Sequence, residues 1–304
     1  MDYPEPPLSP ELELDLPAGP RWALVLSHDI DHLGLREHIT DGFLLRFALS
    51  IVRQEVLHRF RPGRAAAALG GLVLSGIGHD RWDVVGDLLE AERRAGVRST
   101  WFVAMREGLG ISYERRAAEA AIRAIRDAGH EVGLHGQSHE SAAAYAAEAH
   151  ELASILGAPV PGGRMHYLRL TPETLDGMVR AGLRYDSTVF ERKRLHPDTH
   201  PLAAPRLVRP GLVEIPLHVM DATLFSTAGL GLDLAGARDY VRRLAQRAAD
   251  LRRALVVNLH PNFYSTLSPD ARDWYDALLG DLTARSDVFV TDFAGLVPRI
   301  VGMP

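Results

Sequence analysis

Apolar residues along this chain fall into short β-like runs separated by longer stretches of helical period. The first run, Trp22 to Leu26, follows a Pro-rich leader. A long interruption comes next, Glu37 to Ile77, in which two helical stretches, Asp41 to Arg59 and Arg64 to Leu74, carry Phe43, Leu44, Phe47, Ile51 and Leu57 among arginines. From Trp82 the rhythm becomes regular. A helix over Trp82 to Ala95 stops at Gly96, and a strand over Arg98 to Ala104 follows. A helix over Tyr113 to Ala128, with Ser112 as its cap, ends at Gly129 and gives way to a strand over Glu131 to Leu134. Then come a helix over Ser141 to Leu156, a strand near Arg164 to Tyr167, and a helix over Pro172 to Ala181 capped by Thr171. Short strands at Arg184 to Val189 and Val213 to Val219 precede a helix over Leu234 to Arg253. The strongly apolar strand Leu255 to Leu259, a helix over Pro269 to Ala284 and a strand at Val288 to Val290 complete the series. This alternation, about seven strands with intervening helices, predicts an α/β fold with parallel strands, a distorted barrel or an open doubly wound sheet.

Composition narrows the picture. A chain of 304 residues that is 46% hydrophobic can bury a large core and form one domain over 1–304. With 34 basic against 39 acidic residues, a formal charge of −5 and no long basic block, the electrostatic footprint for nucleic acid is missing. There is no cysteine, which excludes disulfides, thiolate ligands and Cys nucleophiles and fits a reducing compartment. The opening Met-Asp-Tyr-Pro-Glu-Pro-Pro lacks the features of a secretory signal. Ala65 to Gly78 is too short for a span of about 20 apolar residues. The expectation is a soluble, cytoplasmic protein. No Gly-x-Gly-x-x-Gly or Walker-type loop follows a strand, so nucleotide cofactors are not indicated.

Two polar clusters sit at strand ends: Ser27-His28-Asp29-Ile30-Asp31-His32 and His135-Gly136-Gln137-Ser138-His139. Two histidines four residues apart fall on one face of a helical turn, so both imidazoles can converge on one cation, and a carboxylate from another strand end completes an N,N,O set. Strand ends of a barrel face one another across a common mouth, where Asp31, His135 and His139 can meet. Such a set leaves coordination positions open, as in a catalytic metal site. Three further groups end strands: Arg164-Met165-His166-Tyr167, Tyr185-Asp186-Ser187-Thr188 and His260-Pro261. An apolar strand that terminates in histidine holds an acid or base against a dry wall.

On these residues the chain resembles the polysaccharide deacetylase (NodB-homology) group, carbohydrate esterase family 4, from Trp22 to the C-terminus with Glu37 to Gly78 outside it. The resemblance implies that Asp29 is the catalytic base and Asp31 a metal ligand. It maps the family's His-[Ser/Thr]-x-x-His onto His135 and His139, with Gly136 in place of the hydroxyl residue. The Arg-x-Pro-Tyr motif maps onto Arg164 and Tyr167, with His166 replacing proline, and the strand ending in histidine maps onto His260. It further implies a divalent cation, Zn2+ above others, held by Asp31, His135 and His139. Arg164 then orients Asp29, the Tyr167 N–H serves the oxyanion, and His260 protonates the departing amine. The carboxylate that tunes His260 stays open among Asp186, Glu214 and Asp221. The implied activity is removal of an acetyl group from an N-acetylated sugar or polysaccharide precursor. The wording Ser-His-Asp-Ile-Asp-His with Arg-x-His-Tyr-Leu-Arg resembles a subgroup linked to bacterial surface-polysaccharide biosynthesis. The alternatives are hydrolysis of another small amide, of the cyclic imide or ureide type, and a non-catalytic carbohydrate-binding relative. Trp101, Tyr167, Phe225, Phe263 and Tyr264 are candidates for stacking on sugars. The helical insertion 37–78 either folds over the cleft, docks on a partner, an anionic membrane or a lipid-linked substrate, or packs as an extra layer.

Overall fold

The structure, a computed structural model, describes residues 9–39, 42–190 and 196–302. Most of the Pro-rich leader and Asp41, the expected start of the first insertion helix, lie outside the described residues. In chain order the elements are β1 (Trp22–Ile30), α1 (Phe43–Ile51), α2 (Pro62–Ile77), α3 (Val85–Ala95), β2 (Thr100–Val103), α4 (Arg115–Asp127), β3 (Glu131–Gly136), α5 (Ala142–Leu156), β4 (Gly162–Met165) and α6 (Pro172–Arg180). They continue with β5 (Tyr185–Asp186), β6 (Arg206–Arg209), β7 (Leu212–Glu214), β8 (Val219–Met220), α7 (Asp221–Phe225), α8 (Leu234–Leu251), β9 (Ala254–Asn258), α9 (Pro269–Thr283), β10 (Val288–Thr291) and α10 (Phe293–Leu296).

The strands run in the order β6-β7-β5-β4-β3-β2-β1-β9-β8, with β10 also beside β1. All their pairings are parallel except β6 with β7. The sheet is a half-barrel with surrounding helices, a distorted (β/α) barrel as the alternation predicts. All nine residues of β1 are buried, and they alternate between two cores. Trp22, Leu24 and Leu26 face the helices with Leu88, Ile122 and Leu244. Ala23 and Val25 face inward with Phe102, Tyr185, Val256 and Phe293.

Ten strands occur among the described residues rather than about seven. The run Val213 to Val219 divides into β7 and β8 around Pro216, which has no N–H to give a ladder. The antiparallel β6 arises from a turn at Gly211, whose φ of +76° suits glycine. Ser112 is not a helix cap: α4 begins after Glu114, and the Ser112 hydroxyl instead meets His38 Nδ1 at 2.9 Å. Thr171 caps α6 as expected, in a reciprocal box with Thr174. The insertion comprises α1, a π-helical continuation over Val52–His58 and α2. Its inner side packs Phe43, Leu44, Phe47 and Leu72 onto Leu35, Trp82 and Leu267. Among the described residues no helix is long and apolar enough to cross a membrane.

Candidate active site

Three strands deliver the central groups, β3 and its neighbour β4 with β1 beyond β2: Asp31 follows the last residue of β1, His135 lies in β3, and His166 follows β4. The Asp31 Oδ1 atom is 3.2 Å from His135 Nε2 and 3.2 Å from His166 Nδ1, and these nitrogens are 3.0 Å apart. Each imidazole spends its outer nitrogen on a carbonyl. His135 Nδ1 donates to Arg164 O at 3.1 Å, and His166 Nε2 donates to Leu109 O at 2.9 Å. A carbonyl only accepts, so in the neutral rings both inner nitrogens turn lone pairs toward Asp31 Oδ1. That oxygen is buried and has no hydrogen-bond donor among the described residues. Three lone-pair atoms meeting at one point fit a cation, and carbonyl-anchored imidazoles are how proteins orient metal-binding histidines. Burial would raise the Asp31 carboxyl, but the imidazoles beside it hold it well below the usual carboxylate range. Burial would likewise lower His166, yet its contact with Asp31 raises it above the ordinary imidazole value.

His139, expected as the third ligand, is not part of this cluster. The expectation treated His135-x3-His139 as a helical turn, whereas β3 continues through Gly136 and carries His135 in extended backbone. Beyond it the loop is fixed. The Gln137 and Ser138 N–H groups donate to buried Glu148, each at 3.0 Å, and Thr171 Oγ1 donates to His139 O at 2.6 Å. The His139 ring ends up with Nδ1 at 3.3 Å from Gln137 O and Nε2 at 3.6 Å from Glu140. The departure at Gly136 has its own cause: a Cβ there would lie 2.5 Å from the Tyr145 ring and 2.8 Å from Met165 Sδ.

Asp29 and Arg164 form the floor. Arg164 is fully buried, not the surface ion pair that an isolated arginine suggests. Its Nη1 donates to Asp29 Oδ1 at 2.8 Å, Asn258 Oδ1 at 2.9 Å and Ser27 Oγ at 3.0 Å, while Nε and Nη2 donate to Ser187. Asn258 Nδ2 donates to the other oxygen of Asp29 at 3.1 Å. Burial favours the protonated Asp29, but the charges of Arg164, His135 and His260 together outweigh it and keep the carboxyl below its usual value.

His260 closes the site from β9. Asp221, the first residue of α7, accepts His260 Nδ1–H at 2.7 Å and the His260 backbone N–H at 2.8 Å. The clamp leaves Nε2 facing inward, 3.8 Å from Asp31 Oδ2. Burial opposes a charged ring, yet Asp221, with Asp31 and Asp29 behind it, raises His260 to about 10. The tuning carboxylate left open by sequence is thus Asp221. Asp186 and Glu214 are occupied with each other in the core, where burial raises Asp186 and burial with the neighbouring Asp186 charge raises Glu214. Tyr167 stands at the mouth, half exposed, in a left-handed conformation with φ 53°. Of the aromatics suggested for stacking, Trp101, Phe225 and Tyr264 are core, leaving Tyr167 and partly buried Phe263, whose ring lies 6.1 Å from His260. His32, next to Asp31, stacks on Trp82 at 5.1 Å and is lowered to about 4 by burial.

Among solved structures, a Mycobacterium smegmatis protein named as a polysaccharide deacetylase matches with a TM-score of 0.65 and 21% identity, over 96% of this chain and 94% of that one. One from Pseudomonas aeruginosa PAO1, similarly named, matches at TM-score 0.59 and 14% identity, over 93% and 92%. The chain has the polysaccharide deacetylase fold. The Puue allantoinase shares this fold, at TM-score 0.61 and 14% identity over 98% and 97% of the two chains. No family model and no curated protein sequence matches. The deacetylase fold therefore rests on three-dimensional likeness together with the strand-end residues, which it gathers at one mouth.

Proposed function

We propose that this chain is a divalent-cation-dependent hydrolase that removes the acetyl group from an N-acetylated sugar or polysaccharide precursor. The observation that carries this reading is the meeting of Asp31 Oδ1, His135 Nε2 and His166 Nδ1 within 3.2 Å of one another, directly opposite His260 Nε2. A divalent cation on these three residues, for which two imidazoles and a carboxylate suit Zn2+, supplies Lewis acidity toward the amide carbonyl and water.

The other groups do the proton work. Asp29, held ionised by Arg164 and oriented by Asn258, accepts the proton of the attacking water. The Tyr167 N–H is assigned to the developing oxyanion. His260, raised to about 10, is an imidazolium at neutral pH, so with Nδ1–H held by Asp221 it also carries a proton on Nε2 and delivers it to the nitrogen as the C–N bond breaks. The products are acetate and an amine on the sugar. Tyr167 and Phe263 are the aromatic faces at the mouth for a carbohydrate ring.

A second reading follows from the likeness to Puue allantoinase: the same groups suit opening of a cyclic ureide. Incubation of Zn2+-loaded and chelator-treated protein with N-acetylglucosamine oligomers and with hydantoins separates the two. Cation-dependent acetate release from the oligomers supports deacetylation. Ring opening of hydantoins without acetate release selects the second reading. Cation binding with neither activity selects the non-catalytic relative.

A further inference from the structure

The insertion carries most of the large hydrophobic side chains that are exposed among the described residues. Of the 13 large hydrophobic residues that are exposed among the described residues, eight lie between residues 39 and 77: Ile39, Leu45, Leu49, Leu57, Phe60, Val73, Leu74 and Ile77. The helix α2 is inverted relative to an ordinary surface helix. It buries its small residues, Ala65, Ala68, Gly71 and Ser75, and turns Val73, Leu74 and Ile77 outward, with Ile77 at 82% exposure. From Ala65 to Ile77 it has no charged residue. A helix that is apolar all round belongs in a core or in lipid, and this one is covered on one side only. The neighbouring α1 repeats the pattern, with Phe47 and Ile51 inward and Leu45 and Leu49, one turn apart, outward.

The charge on this face is of one sign. Between residues 43 and 77 there are five arginines and one acid, Glu55, in a chain whose net charge is −5. Arg59, Arg61 and Arg64 converge on Asp270 below the insertion, and Glu55 pairs with Arg59. Arg46 and Arg53 are exposed and make no ion pair with a described residue. The insertion is also tied to the site. Phe43 packs on His32, beside Asp31, and the Arg46 charge acts on the Tyr167 phenol. Gln54 and Arg59 donate to Phe225 O at the end of α7, the helix that Asp221 begins.

We infer that the outer face of α1 and α2 docks on an anionic lipid surface, with Leu45, Leu49, Phe60, Val73, Leu74 and Ile77 entering the acyl boundary and Arg46 and Arg53 meeting headgroups. Exposed apolar side chains flanked by unpaired arginines are the combination that an interfacial helix needs. A second copy of the chain fits less well, because a two-fold contact of this face would bury the arginines of both copies while Glu55, the one acid between residues 43 and 77, is already paired with Arg59. Docking in this orientation puts the site mouth, bordered by the same insertion, beside the headgroups. The inference does not depend on which bond the site hydrolyses.

The test is sedimentation of the full chain with vesicles of phosphatidylcholine alone and of phosphatidylcholine with one quarter phosphatidylglycerol, alongside light scattering without lipid. Binding is expected to the anionic vesicles and to fall steeply with salt. Arg46→Ser with Arg53→Ser is expected to weaken it about 30-fold, from about fivefold per arginine at a charged surface. Leu74→Glu with Ile77→Glu is expected to abolish it with circular dichroism unchanged. Leu45→Glu with Leu49→Glu provides a second variant should the α2 pair unfold. Equal binding to neutral and anionic vesicles, no binding to either, or a dimer in solution that Leu74→Glu and Ile77→Glu dissociate would each overturn the inference.

Discussion

Under the proposed cation site, His166 and His139 should respond in opposite ways to mutation. In the structure His166 Nδ1 faces Asp31 Oδ1 at 3.2 Å and His135 Nε2 at 3.0 Å, whereas the His139 ring is spent on Gln137 O and Glu140. His166→Ala removes one of three protein donors and leaves Asp31 with His135. Loss of an outer hydrogen-bond partner of a ligand typically costs about 10- to 100-fold in metal affinity, so loss of a ligand itself should cost at least about 100-fold, or about 2.7 kcal/mol at 1.36 kcal/mol per decade. His139→Ala removes no donor, and the contact that holds this loop to α6, from Thr171 to His139 O, is to main chain and survives. Its Zn2+ affinity should stay within about threefold of the parent, against a scale on which a ligand is worth about 100-fold. Titration of metal-stripped protein with Zn2+ against a chromophoric competitor measures both. If His139→Ala loses the metal while His166→Ala retains it, the cluster drawn from Asp31, His135 and His166 is not the binding site.

Three further outcomes follow. Asp29→Asn keeps the shape and one of the two donors, Arg164, but accepts no proton, so it should bind Zn2+ normally and lose about 10²- to 10⁴-fold in rate; Asp31→Asn should lose affinity first and recover partly in excess Zn2+, and the reverse pattern would exchange the two roles. Asp221→Asn takes away the carboxylate that holds the proton on His260, so hydrolysis of an N-acetyl amide should fall about 10²-fold or more while an activated aryl acetate, whose leaving group needs no proton, should lose far less; equal losses would argue against His260 as the acid. Glu131 sits at the opposite end of the sheet, where burial raises it from 4.5 to about 7. Both folded and unfolded chains protonate it at low pH, so its cost is absent there, grows between about 4.5 and 7 as only the unfolded chain ionises, and is full above, at about 3 kcal/mol. Melting of Glu131→Gln relative to the parent should therefore improve from pH 5 to pH 8.5, and a constant difference would show that Glu131 does not titrate in this way.

Much of the fold is legible because apolar periodicity and helix punctuation act locally. Thr171-Pro172 starts α6 and Gly96 ends α3 where the residues say they should. β1 was less legible: its apolar run ends at Leu26, yet the strand continues to Ile30 through Ser27, His28 and Asp29. These polar residues are buried because partners distant in sequence meet them. His28 Nε2 faces Glu92 at 2.9 Å on the helix side, while Ser27 and Asp29 meet Arg164 on the site side. Hydropathy sees none of those partners. The same limit applies to Asp221. Asp186, Glu214 and Asp221 are equivalent as letters, and only the mutual pairing of the first two and the bidentate hold on His260 separate them.

The motif departures at Gly136 and His166 are neighbours in space, and together they account for an imidazole beside Asp31 that the sequence pattern does not place there. In the β3–β4 ladder His135 pairs with Arg164 and Gly136 with Met165, so His166 emerges one residue further along and reaches the His135 ring. Glycine at 136 lets Tyr145 and Met165 close over β3, which any side chain there would prevent. A proline at 166 would offer no ring nitrogen to this cluster, and a histidine there offers Nδ1 to Asp31 because Leu109 O accepts its Nε2–H. Leu109 is in turn placed by the turn whose Gly108 O accepts from Gln137, a residue of the loop that carries His139 away. The loop after β3 thus supports the imidazole that the end of β4 brings to Asp31. The spacing His135-x3-His139 has the form of a ligand pair, but the second imidazole that stands beside His135 and Asp31 is that of His166, from the position where the family's wording has proline.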